Sequence, residues 1–150
     1  MKLEIPRTLK VEHDHLHGML RKATSEPGPL GDAAKAVAKL MHPHFVKEER
    51  YALPPLGLLP ALAQGKVTPD MEIVLVLTDK LKAELAQMLA EHKAIVGALE
   101  VFSDAATKAG RPEYVKFADA LMLHALSEEE VMYPAALLVG EYVREKLPRA

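Results

Sequence analysis

The segment HFVKEERYALP, residues 44–54, is followed later in the chain by a related segment, HALSEEEVMYP, residues 124–134. Both read His-x-x-x-Glu-Glu, and both reach a proline ten residues after the histidine. Residues four apart lie one turn apart on the same face of a helix, so each segment can direct an imidazole and a carboxylate at one point. The proline marks where each regular helix is predicted to stop.

A second correspondence lies upstream of the two segments, where an acid–histidine pair precedes each one: Glu12-His13 in the first half and Glu91-His92 in the second. The spacing between the histidine of the pair and the histidine of the segment is 31 residues in the first half and 32 in the second. The chain therefore predicts two helix pairs, each offering one histidine from its first helix and a histidine with a glutamate from its second. Four histidines and two glutamates would then meet in one bundle core, which is a ligand set for two metal ions.

The composition is that of an ordinary globular protein, and a single domain over 1–150 is predicted from the length of 150 residues. The formal net charge of −2 gives no basic surface, so nucleic acid is not an expected partner. The sequence has neither an apolar run of about 20 residues nor a secretory signal, which predicts a cytoplasmic protein without a membrane partner. Because the chain has no cysteine, disulfides, iron–sulfur clusters and thiolate zinc sites are excluded, and a metal must use nitrogen and oxygen ligands.

Apolar residues recur at helical spacing along the chain and no strand pattern is found, so the prediction is an all-α fold, an up-down four-helix bundle with a short C-terminal helix. The bundle core is predicted over about 8–135, with a Pro/Gly/Leu-rich connector at 54–69 that contains a short helical turn. Asp32 is a possible N-cap of the second helix, Pro43 is expected to bend it, and a bend or break is expected near Thr78-Asp79 in the third. The predicted helices span about 8–25, 31–54, 69–108 and 113–132, with a tail helix at 135–147.

The two glutamates argue more strongly for a metal site than the histidines do. A lone histidine on an apolar helix face is usually a hydrogen-bonded core residue. A carboxylate facing the core is costly without a counter-charge, and neither Glu48 nor Glu128 has an inward-facing Lys or Arg on its own helix. Nitrogen and oxygen ligands without sulfur suit non-haem iron, with manganese or zinc as other occupants. Open coordination positions on iron would then bind O2, NO or peroxide.

The ordered pattern Glu12-His13, His44-x-x-x-Glu48-Glu49, Glu91-His92 and His124-x-x-x-Glu128-Glu129 resembles the hemerythrin-like HHE cation-binding family over nearly the whole chain. The resemblance implies an up-down four-helix bundle around a non-haem di-iron centre, bridged by carboxylates and an oxo or hydroxo group. By matching position, the resemblance implies four terminal ligands and two bridges: His13, His44, His92 and His124, and the bridges Glu48 and Glu128.

The sequence departs from the oxygen-carrying hemerythrins, which have His-x-x-x-His on the third helix and His-x-x-x-x-Asp on the fourth. Val96 stands one turn after His92, so simple reversible carriage of O2 is not what the pattern predicts. The first helix offers a His-x-x-x-His pair instead, ending at His17. His17 is therefore a further candidate ligand, with packing beneath the site as the alternative. Glu49 and Glu129 lie 100° around the helix from Glu48 and Glu128, the candidate bridges, and are expected to face solvent.

Three classes of function are consistent with these residues. The first is a cytoplasmic di-iron protein that binds or senses O2 or NO, or handles peroxide; signalling would need a separate protein partner, which the sequence does not identify. The second resembles iron-centre repair proteins or enzymes that reduce NO or peroxide under nitrosative or oxidative stress, although the repair proteins carry cysteines that this chain lacks. The third is a metal store or a structural bundle in which the ions serve folding. No catalytic residue and no organic substrate can be named from the sequence.

Overall fold

The computed structural model describes residues 1–147; the last three residues of the predicted domain, 148–150, lie outside the described part. All regular elements of the described part are helical, which confirms the all-α prediction. Two π-helical turns and two 3-10 turns join the α-helices. The α-helices are α1 (Arg7–Thr24), α2 (Gly28–Lys47), α3 (Leu59–Ala63), α4 (Val74–Lys108), α5 (Pro112–Ser127) and α6 (Tyr133–Lys146); the π turns span Glu48–Ala52 and Glu128–Met132, and the 3-10 turns span Pro54–Leu58 and Pro69–Ile73.

The four long helices α1, α2, α4 and α5 pack in a closed ring, with α1 against α2 and α5, and α4 against α2 and α5. The α1–α2 and α4–α5 connections are tight turns in which Gly28 and Gly110 adopt φ of 68°, a conformation that glycine adopts at little cost. Hydrogen bonds from His44 to Glu91 and from Tyr51 to Met88 show that α2 and α4 are antiparallel. The predicted up-down bundle is therefore confirmed.

Apolar side chains fill the bundle on both sides of a central polar layer, which consists of the buried residues His13, His44, Glu48, His92, His124 and Glu128. One cluster includes Met41, Phe45, Ile95 and Leu121, and lies toward the two tight turns. The other includes Tyr51, Leu81, Met88 and Tyr133, and lies toward the connector and α6. Fully burying one such side chain stabilises the fold by about 1.5–3 kcal/mol, so these two clusters supply the stability that allows polar groups to be buried between them.

The third long helix was expected to bend or break near Thr78-Asp79, and the expected break is wrong. Residues Val74–Lys108 form one continuous α-helix, preceded by a 3-10 turn over the predicted first turn. The physical reason is that the N-terminal part of α4 extends past the bundle and packs against α6, where Thr78 approaches Gly140 closely. Tertiary packing on α6 therefore supports a length that a four-helix bundle alone would not need.

The second helix begins earlier than predicted. α2 starts at Gly28, not near Asp32, and Pro29 lies in its first turn, where a missing backbone N–H has no partner to lose. Gly31 packs so closely on the Glu26 carbonyl that a Cβ atom would lie 1.8 Å from the oxygen. Pro43 lies inside α2, which continues past it to Lys47.

Each regular helix was predicted to stop at the proline of its segment, but the α-helical pattern changes earlier, at the glutamate. A π-helical turn begins at Glu48 and another at Glu128, and the amide of Leu53 bonds to the Glu48 carbonyl at 2.9 Å. In the second segment the chain continues directly into α6, with Pro134 in the first turn. The second π turn ends at Met132, the predicted end of the fourth helix, and α6 begins at Tyr133, two residues before the predicted start of the tail helix, because Pro134 needs no N–H partner in a first turn.

None of the helices in residues 1–147 combines the length and apolar character required to cross a membrane.

Candidate metal centre

The structure brings six of the seven predicted ligand residues together in the polar layer. They form two groups in which the donor atoms lie within 4.8 Å of one another: His44, Glu48, His92 and Glu128 form group 1, and His13, His124 and Glu128 form group 2. All six side chains are buried, none being more than 4% exposed. The structure places Glu128 in both groups but Glu48 in group 1 alone, whereas the sequence comparison had given both glutamates the same bridging position.

Helix geometry accounts for the convergence. His44 with Glu48 and His124 with Glu128 are pairs four residues apart, so each pair projects from one face of its helix. Each glutamate is also the first residue of a π-helical turn, a feature that occurs frequently at functional sites.

The imidazole nitrogens approach one another in pairs. His44 Nε2 lies 2.9 Å from His92 Nε2 in group 1, and His13 Nε2 lies 3.1 Å from His124 Nε2 in group 2. Glu128 links the pairs, since its Oε1 is 3.3 Å from His92 Nε2 and its Oε2 is 3.3 Å from His124 Nε2. One carboxylate thus presents one oxygen to each group, which is the arrangement of a bridging ligand.

Carboxylates behind three of the histidines determine which ring nitrogen carries the proton. Nδ1 of His44 donates to Glu91 at 2.9 Å, Nδ1 of His92 donates to Glu129 at 3.0 Å, and Nδ1 of His124 donates to Glu12. A neutral ring with its proton on Nδ1 has a lone pair on Nε2. In group 1, where both rings have this partner, the Nε2 atoms of His44 and His92 therefore face each other as acceptors, an arrangement that is repulsive unless a cation lies between them.

The fourth histidine follows the same pattern more loosely. His13 Nδ1 is 3.8 Å from Glu49 Oε1, and Lys10 holds the same oxygen at 3.0 Å. The expectation that Glu49 and Glu129 simply face solvent is therefore wrong, because both are only about one-third exposed and each lies against a histidine. The sequence signal for these supporting carboxylates was an acid next to His13 and His92, and a second glutamate directly after Glu48 and Glu128.

Burial keeps the histidines neutral. It lowers the pKa of His13 to about 3, with a further contribution from His124, and it lowers the pKa of His44 to about 4 although Glu91 opposes the change. Burial also raises the pKa of Glu48 to about 8, against a smaller opposing effect of the hydrogen bond from Tyr133.

The supporting carboxylate Glu91 is held as an anion. Burial alone would raise its pKa, but hydrogen bonds from Lys47, His44 and Gln87 outweigh burial, so that the pKa falls to about 2. Lys47 is half-buried, and its Nζ lies 2.7 Å from a Glu91 carboxylate oxygen. This ion pair holds the carboxylate behind His44 in place.

Three buried polar atoms of the polar layer have no hydrogen-bond partner in the described part of the chain: His13 Nδ1, Glu48 Oε1 and Glu128 Oε2. Leaving such a group unsatisfied costs about 1–3 kcal/mol. Two ligands bound to one ion at about 2.1 Å lie roughly 3.0–3.4 Å apart in octahedral or tetrahedral geometry. The short contacts within the groups span 2.9 Å (His44 to His92) to 3.6 Å (His13 to Glu128), so the residues fit bound cations in chemistry and spacing.

A small cavity of about 10 Å³ lies against both groups, close to the minimum for one water molecule. Its polar wall is formed by ligand candidates and its apolar wall by core residues; the lining is His44, His92, His124 and Glu128, with Met41, Ile95, Leu121 and Ala125.

His17, the seventh predicted ligand, belongs to neither group. It is half-buried, and its ring centroid lies 4.0 Å from that of Phe45, whose other neighbour is the ring of His13. It lines a polar surface cleft of about 390 Å³ together with His42 and Arg21. The structure gives His17 the packing position that was the alternative, and its role as a ligand stays a prediction.

Tyr133 was not singled out from the sequence, yet its hydroxyl lies within group 1. It donates to Glu48 Oε2 at 2.9 Å and lies 3.2 Å from His92 Nε2 and 3.3 Å from His44 Nε2. The available signal was the difference between the two segments, which have Leu53 and Tyr133 before the proline.

The antiparallel bundle and its buried histidines and carboxylates define a class, that of helical proteins with a cation centre in the bundle core. The family model of the hemerythrin HHE cation-binding domain matches residues 4–136, and the chain belongs to this family. The comparison with curated proteins gives no match, and neither does the comparison with solved structures. The family and the buried groups together support metal binding.

Proposed function

We propose that the polar layer holds two iron ions and that the centre binds a ligand of the size of O2, NO or peroxide. The observation that carries the proposal is the position of Glu128, whose two oxygens face two separate groups of buried histidine nitrogens. Group 2 has only three protein donors, so an ion held there would keep positions open for a small ligand.

The donor set favours iron among the available metals. Four imidazoles and two carboxylates, with no thiolate, match non-haem iron, and manganese and zinc also accept such ligands. When bound, iron would supply redox chemistry and open coordination positions for O2, NO or peroxide. The protein residues would supply neutral imidazoles, a shared carboxylate and the charged carboxylates that orient the rings.

The cavity supports a small uncharged ligand. Its volume of about 10 Å³ leaves no room for an organic substrate, and the surface of its wall is almost entirely apolar. A diatomic molecule needs no hydrogen-bond partners for most of its surface, so an apolar wall does not penalise its entry.

Metal analysis and spectroscopy test the proposal directly. We expect protein purified aerobically from iron-supplemented cells to contain about two irons per chain, and its visible spectrum to change with reductant, O2 or NO. Colourless, metal-free protein of undiminished stability would contradict the proposal and favour a structural bundle. Sustained consumption of NO or peroxide with reductant would instead identify an enzyme.

A pair of histidine substitutions provides the matched control. His124→Ala removes a donor of group 2 and is expected to lower the iron content and weaken the spectral response to gas. His15→Ala, on an exposed position of α1, is expected to change neither. Equal effects of the two substitutions would contradict a site at group 2.

A further inference from the structure

Tyr133 lies at one of the two groups and is almost completely buried, at 1% exposed. Its hydroxyl oxygen is 2.9 Å from Glu48 Oε2, 3.2 Å from His92 Nε2 and 3.3 Å from His44 Nε2. The oxygen therefore contacts three of the four residues whose donor atoms form group 1. A tyrosine that only fills the core would not need its hydroxyl oxygen among these donor atoms.

One hydrogen bond does not account for these contacts. The hydroxyl has a single proton, which it donates to Glu48 Oε2. His44 and His92 carry their protons on Nδ1, so both Nε2 atoms present lone pairs to the same hydroxyl oxygen. Two acceptor nitrogens packed against an acceptor oxygen repel one another, and a shared cation removes the repulsion.

The spacing agrees with a common point of coordination. The distances from the Tyr133 oxygen to the three donors, 2.9–3.3 Å, fall in the range expected for neighbouring ligands on one ion with bonds of about 2.1 Å. The distance of 2.9 Å between His44 Nε2 and His92 Nε2 falls in the same range. The phenolic oxygen thus stands in line with the other donors of group 1.

The repeat is asymmetric at this position, because Leu53 occupies the place in the first segment that Tyr133 occupies in the second. We propose that Tyr133 is a phenolate ligand of the iron held by His44, Glu48 and His92. The proposal rests on the di-iron function above and deepens it. Tyr133 then becomes the fifth protein donor of group 1, and its hydroxyl proton passes to solvent when the iron binds. Exogenous ligands are directed to group 2, which has only three protein donors.

Vibrational spectroscopy of the iron-loaded protein tests this assignment. A phenolate bound to iron(III) gives a visible charge-transfer band, and excitation in this band enhances tyrosine ring vibrations. We expect both signals in the wild-type protein, and we expect the vibrations to shift when the protein is made with ring-deuterated tyrosine. Tyr133→Phe should lose both signals. Tyr51→Phe should keep them, since the Tyr51 hydroxyl contacts Met88 Sδ rather than a donor of the centre.

The outcomes separate this assignment from the proposed function. Two bound irons without tyrosine vibrations in the wild type would overturn the ligand role of Tyr133 and leave the di-iron function standing. Enhanced vibrations that survive in Tyr133→Phe but vanish in Tyr51→Phe would also overturn it. Absence of bound iron after reconstitution would overturn both. The wild-type measurement decides the matter even if the Tyr133 variant does not fold.

Discussion

Glu48 is fully buried and pairs with no lysine or arginine in the described part of the chain. One of its oxygens is bonded to Tyr133, and the other has no hydrogen-bond partner there. Such a residue is destabilising in the absence of a cation, because desolvation penalises its charged form. The histidines around it are neutral for the same reason. At the scale of residues, the centre therefore depends on groups whose energetic cost is offset only when a metal binds.

The cost of burying Glu48 predicts that the stability of the metal-free protein depends on pH. The pKa of Glu48 rises from an ordinary 4.5 to about 8 on folding, so its contribution to stability is complete below pH 4.5 and is lost as the pH rises through 8. Glu48→Gln removes this loss, and we expect the variant to gain stability relative to the wild type between pH 5 and 8. Denaturant unfolding of both metal-free proteins across this range measures the gain.

Exposed Glu130, in the matching π-helical turn, provides the control, since Glu130→Gln is expected to leave the pH profile unchanged. The buried histidines act in the opposite direction. Their pKa values are lowered on folding, so they destabilise the fold as the pH falls below 6.5. A wild-type profile that is flat between pH 5 and 8, and is equal in shape to that of Glu48→Gln, would show that Glu48 is not buried as described.

The carboxylate behind a histidine is expected to matter nearly as much as the histidine itself. Glu91→Gln removes the charge that accepts the proton of His44 Nδ1 and pairs with Lys47. Loss of a partner of this kind typically reduces metal affinity by about 10–100-fold. Titration of iron(II) against a competing chelator measures the change. Glu100 is exposed on the same helix, and the Glu100→Gln variant should bind iron(II) with unchanged affinity. Equal iron affinities of the Glu91→Gln and Glu100→Gln variants would refute the supporting role of Glu91.

At the scale of elements, the contact between α4 and α6 is set by a glycine. A Cβ atom at Gly140 would lie 2.2 Å from Thr78 Oγ1 and 2.6 Å from Thr78 Cβ, and Thr78 is itself buried. The close approach lets α6 pack on the long N-terminal part of α4. It also carries Tyr133, the first residue of α6, into the polar layer.

Two glycine substitutions distinguish the effect of this close contact on stability from the effect of helix propensity. Gly140→Ala is expected to destabilise the protein by about 1–3 kcal/mol, because the methyl group forces Thr78 and the backbone apart. Gly97→Ala, exposed in α4 with no atom within 4 Å of the new Cβ, is expected to stabilise it by about 0.5–1 kcal/mol. Thermal and denaturant unfolding measure both. A stabilised Gly140→Ala variant would contradict the close packing of α6.

At the scale of the whole molecule, the two apolar clusters hold the polar layer between them, and metal binding is linked to folding because the donors converge only in the folded chain. A metal ion that binds only the folded state, at a free concentration of 100 times its dissociation constant, raises the free energy of unfolding by about 2.7 kcal/mol. For a chain of this size, that corresponds to a rise in Tm of roughly 5–10 °C.

Removal of the metal is therefore expected to lower Tm by about this amount. Calorimetry before and after treatment with a chelator, followed by return of iron, measures the shift and its reversal. The double variant His13→Ala/His124→Ala, which removes two of the three donors of group 2, should give a smaller shift. Identical Tm values with and without metal in the wild type would contradict the linkage.

The sequence by itself determined the helical fold, the antiparallel bundle and the six residues that meet in the core. It did so because side chains four apart share a helix face and because buried carboxylates need a compensating charge. The tertiary structure alone decided the rest. Packing on α6 keeps α4 unbroken, and α6 follows the second π turn directly. Phe45 covers His17, and the Tyr133 hydroxyl contacts Glu48. These outcomes depend on contacts between distant parts of the chain, which local spacing does not encode.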